Sequence, residues 1–412
     1  MMAIALLVFL AVAAARLGLS WLNLRHLQRE GHRVPAVLRS DVDGERLARI
    51  SAYTAARGRL NLLRGSFSTL MMAAFLFAGG LATYDAWVAS LSRSFIASGV
   101  LFLAGLLCVN AVLAVPFQLY SDFRLEARYG FNRQTPGLWW SDWLKSTALS
   151  LGLSLGLTAA ALALVQAAPH SWWVWVSALI SSVSLILTVL SPYLIEPLFY
   201  RMEPLDEAGL RDGIQAMTER AGVQVGRVLK MDASRRSSHS NAYFTGFGRQ
   251  KRVVLFDTLL AQMSEPQILA VLAHELGHWK KQHVLMRMLV MQVLLVLAAY
   301  LVFWLAPSAL LPGLLGLSAA SFPARIVILA VAGSVVLFPL TPLFAAWSRH
   351  DEREADRFAV DLHGSPRDLA RALAKLGTEN LANLHPHPLY AKFYYSHPPL
   401  AERISTLLAH EA

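Results

Sequence analysis

The sequence predicts a mainly α-helical integral membrane protein with a small α/β unit at one membrane face, and three observations predict it. The chain of 412 residues is 55% hydrophobic and only 16% charged, with a mean hydropathy of +0.45, whereas globular chains carry about 25% charge. Seven runs are apolar and long enough to cross a hydrocarbon core of about 30 Å, given some tilt. The pentapeptide His274-Glu275-Leu276-Gly277-His278 lies outside all of them, in a long segment of mixed polarity.

The runs fall near 2–23, 66–88, 95–120, 144–167, 172–198, 284–306 and 322–347. In the first, Ala11-Val12-Ala13 has the small-residue pattern of a signal-peptidase site. No Lys or Arg precedes the run, however, and it resumes after Arg16, which fits an uncleaved helix whose arginine snorkels to the interface. Pro116, Pro192, Pro339 and Pro342 fall in or near span ends, where neighbouring helices can satisfy the backbone a proline frees. Asp85, Asn110 and Gln292 are placed for hydrogen bonds between helices.

Basic residues alternate between the connections. The segment from Arg25 to Arg64 is rich in arginine, the next connection carries only Arg93, and the third carries Arg124, Arg128 and Arg133. The fourth and sixth have none, while the fifth and the C-terminal segment are basic again. The positive-inside rule then puts the N-terminus outside and the odd-numbered connections, with the C-terminus, in the cytoplasm. This pattern accounts for the formal net charge of +10 as a property of a membrane protein. It leaves no nucleic-acid signature, and the Arg-rich first connection reads as a topogenic loop. The single cysteine, Cys108, lies in an apolar run, which excludes a disulfide framework and a thiolate metal site.

Four regions follow: 1–198 with five membrane helices and basic connections; 199–283 as a cytoplasmic α/β segment carrying the pentapeptide; 284–347 with helices six and seven; and 348–412 as a cytoplasmic helical segment completing the site. Within the second region, 204–221 has helical spacing and Val223 to Met231 alternates like a strand. Asn241–Phe247 and Arg252–Phe256 flank a turn at Gly248-Arg249-Gln250-Lys251. A helix begins near Ser264, with Pro266 in its first turn and Gln267 placed for a capping box, and runs through the pentapeptide.

On that helix His274 and His278 project from one face, and Glu275, one step round, faces the water that a metal ion there would activate. Two imidazoles are half of a hydrolytic zinc site, which takes a third protein ligand and leaves one position open. Two membrane spans separate His278 from the cluster His350-Asp351-Glu352-Arg353-Glu354-Ala355-Asp356, so topology returns that cluster to the same face. His350, Glu352 and Glu354 are all available as third ligand by residue chemistry. Asp356, four residues after Glu352, can accept a hydrogen bond from a ligating imidazole.

Five blocks in order carry a resemblance. They are Tyr129-Gly130-Phe131-Asn132-Arg133-Gln134-Thr135; His239 to Phe244 with Arg252 to Leu260; the pentapeptide; Glu352 with Ala355 and Asp356; and Tyr395-Ser396-His397-Pro398-Pro399 with Glu402 and Arg403. The chain resembles the type I CAAX prenyl endopeptidases, membrane zinc metalloproteases of the gluzincin kind. The resemblance implies seven transmembrane helices enclosing an intramembrane chamber, closed by a zincin-like domain. It implies one Zn²⁺ held by His274, His278 and Glu352, with Asp356 behind a ligand histidine. It also implies that Asn241 belongs to a substrate-aligning edge strand and that His397 and Arg403 lie near the scissile bond. Residue chemistry alone reads those three as a strand-entering Asn, a turn His and a surface Arg.

The implied function is hydrolysis of peptide bonds in prenylated CAAX C-termini or other membrane-associated peptides, with the lipid bilayer and a peptide or membrane protein as partners. The plasma or inner membrane would house it in a bacterium, the ER membrane in a eukaryote. A quality-control protease without prenyl specificity is the alternative within the class. A zinc-stabilised scaffold or receptor needs no general base and would take a fourth ligand, so Glu275 speaks against it; a transporter relay lacks charges deep in the spans.

Overall fold

The computed structural model describes residues 1–246 and 251–409. Helix α1 (Met2–Glu30) is the first membrane helix. Helix α2 (Gly44–Phe77) starts at Asp43, whose side chain accepts from Arg46 N at 2.7 Å, and α3 (Gly80–Leu91) follows across a break. This corrects the expected span 66–88. The break falls at Gly79, whose φ of +86° is left-handed and free only to glycine, and a hydropathy window does not register it. The apolar half of the membrane helix is instead the end of α2, whose basic first half carries Arg46 to Arg64, so most of the expected topogenic loop is helical.

Helix α4 (Phe95–Tyr120) contains Pro116 and passes into a π-helical stretch at Ser121–Glu126. Helices α5 (Pro136–Ala167) and α6 (Trp172–Leu194) complete the first half, with a 3₁₀ turn at Glu196–Leu198 ending the fifth span. Strand β1 (Met202–Pro204), helix α7 (Ala208–Arg220) and strands β2 (Arg227–Met231), β3 (Ala242–Thr245) and β4 (Arg252–Phe256) follow. The expected helix at 204–221 starts later than spacing suggests, at Ala208, because β1 ends at Pro204 and a short connection precedes the helix. The expected turn at 248–251 lies, but for Lys251, outside the described residues, as does Phe247.

The sheet has the order β1-β2-β4-β3, with β2 and β4 parallel and the outer pairs antiparallel. Strand β3 is therefore an edge. Val253 and Leu255 of β4 enter the main core with Leu272 and Ala273, which belong to the helix that follows. After the short α8 (Asp257–Gln262) comes α9 (Glu265–Lys280), then the membrane helix α10 (His283–Leu305), the short α11 (Leu310–Leu314) and α12 (Phe322–Val336). Helix α13 (Thr341–His363) is set 42° from the preceding one across a break that contains Pro339 and is followed by Pro342. The seventh expected span, 322–347, is thus a bent pair. Glu352 does not open a separate helix beyond it but lies in the middle of α13, because nothing after Pro342 interrupts the helix. Helices α14 (Pro366–Glu379), α15 (Pro388–Tyr394) and α16 (Leu400–Ala409) end the described chain.

The membrane helices form a ring. Neighbours run α1 to α2, through α3 to α4, then α5, α6 and α10, while α12 returns to α1. Arg287 of α10 bonds Ser348 and Asp351 of α13, and Arg16 of α1 donates to Ser334 O of α12 at 2.7 Å. A solid bundle would bury one stripe of each helix in close packing. Here no more than 11% of the most apolar 18-residue window of each of the six unbroken spans is buried, so the helices touch along narrow seams and leave most of their apolar surface uncovered. Gln292 and Ser181 bond across α10 and α6 at 2.7 Å, as expected of an interhelical polar group.

Candidate metal centre

Helix α9 is built to hold its two histidines rigidly. Ser264 and Gln267 form the reciprocal capping box, Pro266 occupies the first turn, and Ile268, Ala270, Val271, Leu272, Ala273 and Leu276 are buried. Helix α13 packs directly on it. The contact passes through Gly277, where an added Cβ would lie 3.0 Å from Ala355 Cα and 3.1 Å from its carbonyl oxygen. The two nearest neighbours are backbone, so any larger residue at this crossing must push the helices apart by a few tenths of an ångström.

That approach brings Glu352 onto the histidine face. His274 Nε2 and His278 Nε2 are 3.2 Å apart, His278 Nε2 is 3.2 Å from Glu352 Oε1, and His274 Nε2 is 3.4 Å from Glu352 Oε2. Four ligands about 2.0–2.1 Å from a tetrahedral zinc stand about 3.3–3.4 Å from one another. The three distances are of that size, with one Glu352 oxygen facing each histidine, and the nitrogen–carboxylate donor set is one that zinc takes. His274 and Glu352 are buried, and Glu352 Oε2 has no aligned hydrogen-bond donor, although His397 Nδ1 is 2.6 Å away.

Behind His274 stands a charged pair. Asp356 Oδ1 lies 2.9 Å from His274 Nδ1, and Arg403 donates through Nε and Nη2 to the two Asp356 oxygens, each at 2.6 Å. Burial and Arg403 both work against a charge on His274, but Asp356 and Glu352 outweigh them and raise its pKa above the ordinary imidazole value. Burial likewise opposes the Arg403 charge, and Asp356 more than compensates, so its pKa is raised.

The other expected residues are placed as follows. Glu275 is half-buried beside His274. The His397 side chain is 61% exposed on the turn before α16, so it can move towards a ligand while Glu352 cannot. Arg403 is not a surface arginine: it is buried, and its Nη1 lies 3.5 Å from Glu352 Oε2. Asn241 immediately precedes the edge strand β3; its carbonyl accepts from Phe256 N at 3.1 Å and its side chain from Ala242 N at 2.9 Å. Glu354 and His350, the other residues considered as third ligand, lie outside the triad: Glu354 faces His283, and His350 is exposed.

Sequence reasoning missed Gly277 as a packing point and His283 altogether. His283 Nδ1 is 3.0 Å from His278 Nδ1. Its signal was a third histidine five residues after the pentapeptide, where an uninterrupted helix would turn it away. The chain breaks between α9 and α10 at Gln282, φ +58°, and this turns it back.

Comparison with known proteins gives one picture along the whole chain. Residues 23–201 match the family described as CAAX prenyl protease N-terminal, five membrane helices, and residues 204–411 match peptidase family M48. The CAAX prenyl protease 1 homolog of Arabidopsis thaliana is 34% identical over 396 residues, covering 91% of this chain and 90% of the relative. CAAX prenyl protease 1 of Saccharomyces cerevisiae is 30% identical, covering 94% and 91%. The crystal structure of S. mikatae Ste24p superposes with a TM-score of 0.89 at 28% identity and covers 98% of each chain.

Proposed function

The chain belongs to peptidase family M48 and is a membrane metalloprotease, and from that premise we propose that it cleaves prenylated CAAX C-termini with one Zn²⁺ held by His274, His278 and Glu352. The observation that carries the ligand assignment is the set of 3.2, 3.2 and 3.4 Å edges among those three side chains. When bound, the ion supplies Lewis-acid chemistry, polarising the scissile carbonyl and acidifying a water. Glu275 takes the proton of the attacking water and passes it to the departing amine. Asp356 accepts from His274 Nδ1 and so keeps Nε2 free for the metal, while Arg403 holds Asp356 in place. His397, and the Nη1 group of Arg403 not engaged by Asp356, provide positive charge for the developing oxyanion. Asn241 and the free edge of β3 align the substrate backbone as an added strand.

The uncovered apolar surfaces of the membrane helices support a lipidated substrate, because a prenyl chain can stay among them while its peptide reaches the metal. The relatives named CAAX prenyl proteases support the same substrate class. The alternation of basic connections supports a cytoplasm-facing site, with 199–283 and 348–412 together forming the protease unit and the N-terminus outside. The test is cleavage of a farnesylated CAAX peptide and its unlipidated counterpart by the purified protein in detergent, with and without a zinc chelator. Chelation is expected to abolish cleavage, and the farnesylated peptide to be preferred. Cleavage that survives chelation removes the metal mechanism, and equal rates on the two peptides favour a quality-control protease without prenyl specificity.

A further inference from the structure

Outside the triad, His283, Asp351 and Glu354 form a second group of mutually close metal-ligating side chains. Each already has a partner. Asp351 receives both Nε and Nη2 of Arg287, at 2.9 and 2.7 Å, which neutralises it and occupies its oxygen. His283 is 6% exposed and bonded at both ring nitrogens, with Nδ1 3.0 Å from His278 Nδ1 and Nε2 3.2 Å from Glu354 Oε2. A second ion would have to displace these bonds, so the cluster serves another purpose.

We propose that His283 and Glu354 are positioning residues for the metal: a relay Glu354–His283–His278 fixes the tautomer and ring plane of His278 as Asp356 fixes those of His274. The proposal rests on the reading of His278 as a metal ligand. Tautomer logic supplies the argument. His278 turns Nε2 towards His274 and Glu352, each 3.2 Å away, so a metal there takes the Nε2 lone pair and the proton resides on Nδ1. That N–H points at His283 Nδ1, which must then be the acceptor. A neutral imidazole accepting at one nitrogen donates at the other, and the donor, Nε2, faces a carboxylate that can only accept while ionised. Every proton in the chain is thereby assigned. The two imidazoles of the pentapeptide each end on an acidic group, one directly and one through an intervening ring. The left-handed Gln282 is what makes the second arrangement possible, since it starts α10 with His283 folded back against α9.

The test uses full-length, zinc-loaded protein in detergent and reads metal retention against a chelator. His283→Phe keeps a ring of similar size but accepts no hydrogen bond, and Glu354→Ala removes the end of the relay at a half-exposed position. Each is expected to shorten metal retention on the order of 10–100-fold, to a smaller extent for Glu354→Ala, and His283→Gln is expected to restore part of the loss. The double variant is expected to lose no more than His283→Phe alone, because Glu354 acts only through His283. The metal-stripped variants are expected to unfold at the temperature of metal-stripped wild type. Wild-type retention in either single variant, additive losses in the double variant, or an equal loss of stability in the metal-stripped state would overturn the proposal. Retention is read without substrate, so failure of the relay is distinguished from failure of the protease reading, which the chelator-sensitive cleavage assay tests.

Discussion

Arg403 forks onto Asp356, Nε and Nη2 each 2.6 Å from a carboxylate oxygen, with both side chains 9% exposed. A charge pair this deep is costly to break from one side, because the remaining partner keeps its burial and loses its counter-charge. Arg403→Ala is expected to destabilise the protein by about 3–5 kcal/mol, read as a lowered unfolding temperature in detergent. Arg403→Lys should recover little of this, since an ammonium cannot span both oxygens. Unfolding of Arg403→Ala at the wild-type temperature would show that the fork contributes nothing to the fold.

Gly277 sets the distance between α9 and α13, and through it the position of Glu352. Replacing it with alanine brings two opposing effects. Helix propensity improves by about 1 kcal/mol, while overpacking against Ala355 backbone costs about 1–3 kcal/mol, since only the Phe358 ring, 3.2 Å away, can turn aside and the two nearer atoms are backbone. Overall stability should change little. Metal retention should fall severalfold, because the few tenths of an ångström by which the helices part are taken from the edges between Glu352 and the histidines. Unchanged retention together with unchanged stability would mean that the contact has slack the distances of 3.0 and 3.1 Å do not suggest.

Glu275 makes none of the short contacts that bind His274, His278 and Glu352 together, so its proposed work is proton transfer alone. Glu275→Gln preserves shape and removes the base. Metal content should match wild type, and turnover of the farnesylated peptide should fall by roughly 10²–10⁴. Wild-type turnover would assign the base to another group.

The parts of this site that are local in sequence were legible without coordinates. Ser264, Pro266 and Gln267 announce a helix start by capping chemistry, and the four-residue spacing of His274 and His278 then fixes a common face. What escaped were features set by single backbone angles or by distant contacts. Gly79 ends a helix in the middle of an apolar run, and hydropathy, which averages over a window, reads straight across it. The boundary between α9 and α10 is expected near 283, but the left-handed turn at Gln282 that lays His283 on His278 has no sequence sign. Residue chemistry reads Arg403 as a surface arginine, and the resemblance alone put it near the scissile bond, because its burial arises from contacts with His274 of α9 and Asp356 of α13 that no spacing encodes. The choice of Glu352 over His350 and Glu354 is intermediate: helix periodicity separates their faces, but which face meets α9 depends on the crossing at Gly277.

That choice is open to a direct comparison. Glu352 completes the triad, His350 is exposed, and the two lie two residues apart on one helix, so a general disturbance of α13 would affect both. Glu352→Ala should lose the metal, whereas His350→Ala should retain it. The thermal response to chelation gives a second readout. A ligand that binds only the folded state stabilises it by RT ln(1 + [L]/Kd), so stripping zinc should lower the unfolding temperature of wild type and of His350→Ala by similar amounts. Glu352→Ala has no tightly held metal to lose and should not respond. If instead His350→Ala loses the metal and Glu352→Ala keeps it, the third ligand lies on the other face of α13 and the helix crossing at Gly277 does not set the site.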